Sequence, residues 1–169
     1  MQQRFEFAQA FKRAAVLCVA MPLVIQTALA QGGVLYPDPS LAKSQIQEAL
    51  QRAKAQHKRV ILDFGGNWCG DCKVLDIYFH DPANKTLLEE NFELVEVNIG
   101  RYDVNRDIAA RYGIPLERGV PALVVLSADG KVLLAQTHGE FETMRNLQSS
   151  DLTKFLNDWK PTRHGTQGR

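Results

Sequence analysis

Cysteine is scarce in this chain: three residues among 169, too few for a disulfide-stapled scaffold or a four-cysteine zinc site. A dominant charge sign is missing too. Lys and Arg number 20 against 19 Asp and Glu, and no basic block stands out, whereas a nucleic-acid groove needs clustered cations. The one conspicuous apolar run, residues 14–25, has 12 residues and contains Pro22, short of the ~20 that a membrane-spanning helix requires. What is present is globular composition, 45% hydrophobic and 23% charged, in a length that suits one domain.

The apolar run belongs to an N-terminal pattern. Arg4, Lys12 and Arg13 precede it and Ala28-Leu29-Ala30 follows, which together describe a secretory signal peptide cleaved after Ala30. An uncleaved anchor or a buried N-terminal helix is the alternative. Leu17 before Cys18 is too bulky for a lipoprotein site, so Cys18 is read as an ordinary apolar residue of the signal. Removing residues 1–30 leaves 17 Lys and Arg against 18 Asp and Glu, and only Cys69 and Cys72. An exported protein usually spends its cysteines on disulfides. These two close a loop too small to restrict the unfolded chain much, so chemistry is the better explanation.

Along the remaining chain, Gly32, Gly33, Pro37 and Pro39 mark a linker over 31–39, with Ser40 as the N-cap of a helix to Gln56. Residues 60–64 (Val-Ile-Leu-Asp-Phe) form a buried strand that ends at Gly65-Gly66. Helices are expected near 69–79 and, after the Asp81-Pro82 start signal, to Asn91. A strand over 92–99 and a helix over 104–112 follow. Residues 122–126 and 132–135 read as strands joined at Asp129-Gly130. A helix over 151–159 closes a domain spanning 40–160, leaving 161–169 as a flexible tail. Strands separated by helices imply parallel pairing, and the hairpin adds an antiparallel edge. The fold class is α/β, a mixed sheet flanked by helices with one helix before the first strand.

The segment Trp68-Cys69-Gly70-Asp71-Cys72-Lys73 falls where a strand gives way to a helix. A cysteine in the first helical turn faces free backbone N–H groups and the positive end of the helix dipole, which favours its thiolate. Cys72, one turn on, reaches the same sulfur. Cys69 is therefore placed to attack a disulfide and Cys72 to resolve the resulting mixed disulfide. Paired cysteines at this spacing also bind zinc, but no second pair exists and His57, His80, His138 and His164 lack ligand spacing. No metal and no cofactor is assigned.

With Asp63 six residues upstream and Gly119-Val120-Pro121 before a strand, residues 63–73 resemble the thioredoxin superfamily, over roughly 60–159. The nearer likeness, through the Phe79-His80-Asp81-Pro82 stretch, is to exported thioredoxin-like domains, including the periplasmic C-terminal domain of the transmembrane disulfide reductase. The resemblance implies that Cys69 is the exposed nucleophile and Cys72 the buried resolving thiol. It implies that Asp63 moves the proton off Cys72; a solvated strand-end aspartate is the alternative. It further implies a cis-proline at Pro121, otherwise a trans proline opening a strand, with Val120 pairing its backbone with substrate. Trp68 would cover the dithiol, or simply pack. The chain departs from cytosolic thioredoxin by Asp71 in place of proline and by Gly65 in place of a second tryptophan. Extra residues at 112–119 and 139–150 are expected near the active-site rim.

Gly70, Asp71 and Lys73 are the residues expected to tune the thiolate. Asp71 in the first helical turn repels a thiolate at Cys69 by somewhat under about one pKa unit. That favours a reducing or mid-potential thiol–disulfide oxidoreductase over a strong oxidant. Its partners would be protein disulfides and an upstream thiol electron donor, met as a periplasmic or otherwise exported monomer, with no nucleic acid and no membrane after cleavage. An oxidant, an isomerase, or a non-catalytic module holding a partner near Trp68 and Pro121 are the alternatives.

Overall fold

The computed structural model describes residues 34–162; the signal-peptide reading and most of the expected tail lie outside them. Four strands, β1 (Arg59–Gly65), β2 (Phe92–Asn98), β3 (Ala122–Leu126) and β4 (Val132–Ala135), form one mixed sheet in the order β2-β1-β3-β4. Five helices surround it: α1 (Ala42–Gln56), α2 (Gly70–Phe79), α3 (Pro82–Asn91), α4 (Arg106–Arg111) and α5 (Ser149–Trp159).

The two faces of the sheet bury separate cores. Val60, Leu62 and Phe64 pack with Ile46, Ala49 and Ala53 of α1 and with Ile108 and Ala109 of α4. Ile61, between them in β1, packs instead with Leu75 and Phe79 of α2 and Leu152 and Leu156 of α5. This is the period-2 alternation of a strand covered on both sides. It explains why β1 reads as an unbroken apolar run except at Asp63.

Pairing departs from the expected parallel pattern at one point. β1 and β2 are parallel, but β3 runs antiparallel to β1, placing Leu123 opposite Asp63. The chain leaving β2 comes back into the sheet from the end at which it left, by way of α4 and the cis-proline loop.

Start signals behave as their chemistry dictates, with one shift. Asp81 caps α3 through Ala83 N at 3.2 Å, with Pro82 in the first turn. Ser40 is not the cap at the first helix. Asp38 instead caps a short 3₁₀ turn over Pro39–Leu41, accepting from Ser40 N at 2.8 Å, and the turn leads into α1, whose own N-cap, Leu41, makes no side-chain capping bond. The hairpin turns at Gly130, whose φ of 80° suits a residue without Cβ.

Candidate active site

Cys69 and Cys72 form a disulfide at the start of α2. Cys69 is the N-cap of the helix, in extended backbone, and its Sγ accepts from Cys72 N at 3.0 Å. The same backbone N–H that would stabilise a thiolate is thus already aimed at the sulfur. Cys72, expected to be the resolving thiol, is fully buried, and Cys69, expected to be exposed, is itself only 5% exposed. Its sulfur is covered by the Val120 carbonyl 3.6 Å away. The Val120–Pro121 peptide is cis, and this loop faces the disulfide.

Trp68 is 40% exposed. Its indole N–H donates to the Gly100 carbonyl, and its ring meets Tyr102 at 5.4 Å between centroids. Trp68 is therefore fixed to the loop after β2. Beside Tyr102 a cleft of about 520 Å³ is lined by Arg106, Leu116, Glu117 and Gly119, the rim on which the extra residues before Val120 were expected.

Asp63 is buried at 3% exposure, not solvated. Burial pushes its carboxyl up to about 8; a hydrogen bond from Tyr36 pulls the other way, and the charges of Glu96 and Asp76 add to the rise. Tyr36 Oη donates to Asp63 Oδ2 at 2.7 Å, while Asp63 Oδ1 is buried without a hydrogen-bond partner. Glu96 is the register partner of Asp63 on β2, and burial also raises its carboxyl above the usual range. Lys73, Asp76, His80 and Glu96 line one polar cleft with Val34, Leu35 and Asn67.

Tyr36 was not foreseen. It sits inside the stretch expected to be a linker, yet it is fully buried in the core beside Cys69 and Cys72. Three asparagines hold that stretch. Asn67 accepts from Tyr36 N at 3.0 Å and donates to its carbonyl at 2.8 Å; Asn98 donates to the Pro37 carbonyl at 2.8 Å; Asn105 donates to the Pro39 carbonyl at 2.9 Å. The sequence signal was the lone tyrosine in an otherwise Gly- and Pro-marked segment, which periodicity does not weigh.

Arg145 was likewise missed. Its guanidinium and its backbone N–H all donate to Asp71, at 2.7 to 3.1 Å. The Asp71 carboxyl is held below its usual range as a result. The expected bare negative charge beside Cys69 is therefore one half of an ion pair. Arg145 Nη2 also stands over Gly70, 3.3 Å from where a Cβ would lie. Among the described residues, no group of three or more His, Cys, Asp or Glu side chains is arranged to hold a metal ion.

A thioredoxin-like family model matches residues 42–128. The thiol:disulfide interchange protein DsbD of Pseudomonas sp. (strain JR1 / K1) is 32% identical over 124 residues, covering 70% of this chain and 19% of that protein. The chain spans about a fifth of the length of such curated relatives (19%). Among solved structures, the disulphide isomerase from Xylella fastidiosa Temecula1 superposes with a TM-score of 0.71 at 33% identity, over 75% of this chain and 96% of that one. The reduced C-terminal domain of Neisseria meningitidis DsbD shares the fold, with a TM-score of 0.51 at 19% identity over 69% and 95% of the two chains.

Proposed function

The chain belongs to the thioredoxin-like family; from that premise we propose that it is a thiol–disulfide oxidoreductase that acts after export as a reductant of protein disulfides. The observation that carries the reading is the Cys69–Cys72 pair at the start of α2, facing the Val120 carbonyl of the cis-proline loop. In the reduced form the Cys69 thiolate attacks a substrate disulfide, and one substrate sulfur leaves as a thiolate. Cys72 then loses its proton to Asp63 and attacks Cys69, which releases the second substrate sulfur and restores the Cys69–Cys72 disulfide. Substrate peptide would lie along Val120 and Pro121, beside Trp68. Each turnover leaves the protein oxidised, so the cycle needs an upstream thiol donor.

The direction rests on charge. Gly70 and Asp71 place no cation between the cysteines, and the Arg145 guanidinium that reaches them is matched by Asp71. Strong oxidants owe their potential to a heavily stabilised thiolate. Export rests on the basic, apolar, small-residue pattern of residues 1–30, which would place a monomeric domain over 40–160 in the periplasm after cleavage at Ala30. The periplasmic likeness supports the same compartment, and no helix among the described residues is long and apolar enough to cross a membrane.

The equilibrium reduction potential of Cys69–Cys72 tests the direction. A value near roughly −270 mV supports the reductant, and one near roughly −120 mV would make the protein an oxidant. The second reading, a disulfide isomerase, is favoured by the likeness to the Xylella fastidiosa disulphide isomerase. Regain of activity by a scrambled, fully oxidised substrate, without net loss of its disulfides, would select it.

A further inference from the structure

Asp63 has two carboxyl oxygens in a closed interior, and they are not equivalent. Oδ2 accepts from Tyr36 Oη at 2.7 Å, and Oδ1 is buried with no partner. Tyr36 is not in contact with Asp63 alone. A Cβ built at Gly65, two residues along β1, would strike both the Tyr36 ring and Cys72 Sγ, the latter at 2.8 Å. The missing side chain of Gly65 thus makes room for the tyrosine hydroxyl and the resolving sulfur to flank one point. Asn67, the residue before Trp68, grips the Tyr36 backbone on both sides, so the active-site loop itself sets where the hydroxyl stands.

Resting on the oxidoreductase reading above, we propose that Tyr36 is a positioning residue for the resolving step: its hydroxyl holds Asp63 Oδ2, leaving Oδ1 as the atom that takes the proton from Cys72. The S–H bond of Cys72 breaks and its proton passes to Oδ1. The Cys72 sulfur bonds to Cys69 Sγ as the bond between Cys69 and substrate breaks, and the substrate sulfur leaves with the electron pair and is protonated by solvent. The substrate disulfide is reduced and the cysteine pair oxidised. The upstream segment is then part of the catalytic unit.

The charged groups around Asp63 come from each element that faces it. Glu96 comes from β2 and Asp76 from α2, Tyr36 from the upstream segment, and β3 contributes the apolar Leu123 opposite. Lys73 and His80 line the cleft that holds Asp76 and Glu96. Among the described residues, Tyr36 is the one side chain that donates a hydrogen bond to Asp63, and a donor favours the ionised carboxylate.

The test is Tyr36→Phe, which keeps the ring and removes the hydroxyl. Carboxyl-carbon NMR of the oxidised protein should show the Asp63 midpoint rising by about one pH unit. Resolution of a Cys69-linked mixed disulfide with a small aromatic thiol should shift its pH midpoint upward by a similar amount, while alkylation of Cys69 keeps its profile. In an Asp63→Asn background, Tyr36→Phe should add no shift. Lower stability with neither midpoint moved would mean that Tyr36 only fills space, and would overturn the proposal, as would an NMR shift without the kinetic one. Wild-type protein that reduces no disulfide would sink the oxidoreductase reading itself, whereas the NMR midpoint reads the Tyr36–Asp63 contact without any turnover.

Discussion

Arg145 clasps Asp71 with two nitrogens, Nε to Oδ1 at 3.0 Å and Nη2 to Oδ2 at 2.7 Å, across 74 residues of chain. The pair ties the segment before α5 to the first turn of α2, close to both cysteines in the chain. Its consequence is that the negative charge of Asp71, which lies between the cysteines in the chain, is offset by the Arg145 guanidinium. Removing either partner should therefore unmask the other. Arg145→Ala should raise the Cys69 pKa by less than about one unit, Asp71→Asn should lower it by a similar amount, and the double variant should return near wild type. The pH dependence of Cys69 alkylation in the reduced protein reads all three. If Arg145→Ala left the profile unmoved, the pair would not be setting the charge at the site.

Asp63 makes stability depend on pH in a defined sense. Its folded carboxyl is pushed up to about 8 from 3.8, so between these values the folded state binds more protons than the unfolded one. The contribution of this group to stability is then full below about pH 4 and is lost as pH rises toward 8, by about 1.4 kcal/mol per unit. Asp63→Asn removes that slope and should gain on wild type as pH increases. Urea unfolding of both oxidised proteins at about pH 5, 7 and 9 measures the difference. If Asp63 is the proton acceptor proposed above, the same variant should slow mixed-disulfide resolution by about 100-fold.

Gly65 is required by proximity, its backbone being ordinary strand. Any Cβ there meets Cys72 Sγ at 2.8 Å and the Tyr36 ring. Gly65→Ala should cost about 1–3 kcal/mol of stability through overpacking. It should also shift Tyr36 off Asp63, visible as a change in the Asp63 titration. Chemical denaturation together with carboxyl NMR checks both; an unchanged stability would mean that the tyrosine moves aside freely.

Asn67 fastens the upstream segment through two hydrogen bonds to the Tyr36 backbone, 3.0 and 2.8 Å long. Asn67→Ala should destabilise the protein by about 1–3 kcal/mol. Amide exchange at Tyr36 should accelerate more than exchange in β1, whose ladder to β2 and β3 is untouched. Hydrogen-exchange mass spectrometry of peptides over 34–40 and 59–65 separates local from global opening.

The local elements were legible because each has a local cause. The apolar run of β1, the Asp81-Pro82 start of α3 and the Asp129-Gly130 turn carry their conformational preferences in neighbouring residues. The Trp68-Cys69-Gly70-Asp71-Cys72 segment also declared its chemistry, since a strand-to-helix junction by itself turns backbone N–H groups onto Cys69. What no window of sequence contains is the contact made at long range. Tyr36 reaches Asp63 across 27 residues and Arg145 reaches Asp71 across 74, and neither residue lies on a helical or strand stripe that marks it as functional. The antiparallel run of β3 against β1 is likewise a matter of how the chain re-enters the sheet, which the residues of the strand do not encode. Sequence alone marked the two sulfurs and the carboxylate proposed to carry the reaction. Tertiary packing decided what surrounds them: which oxygen of Asp63 is free, and which charge offsets Asp71.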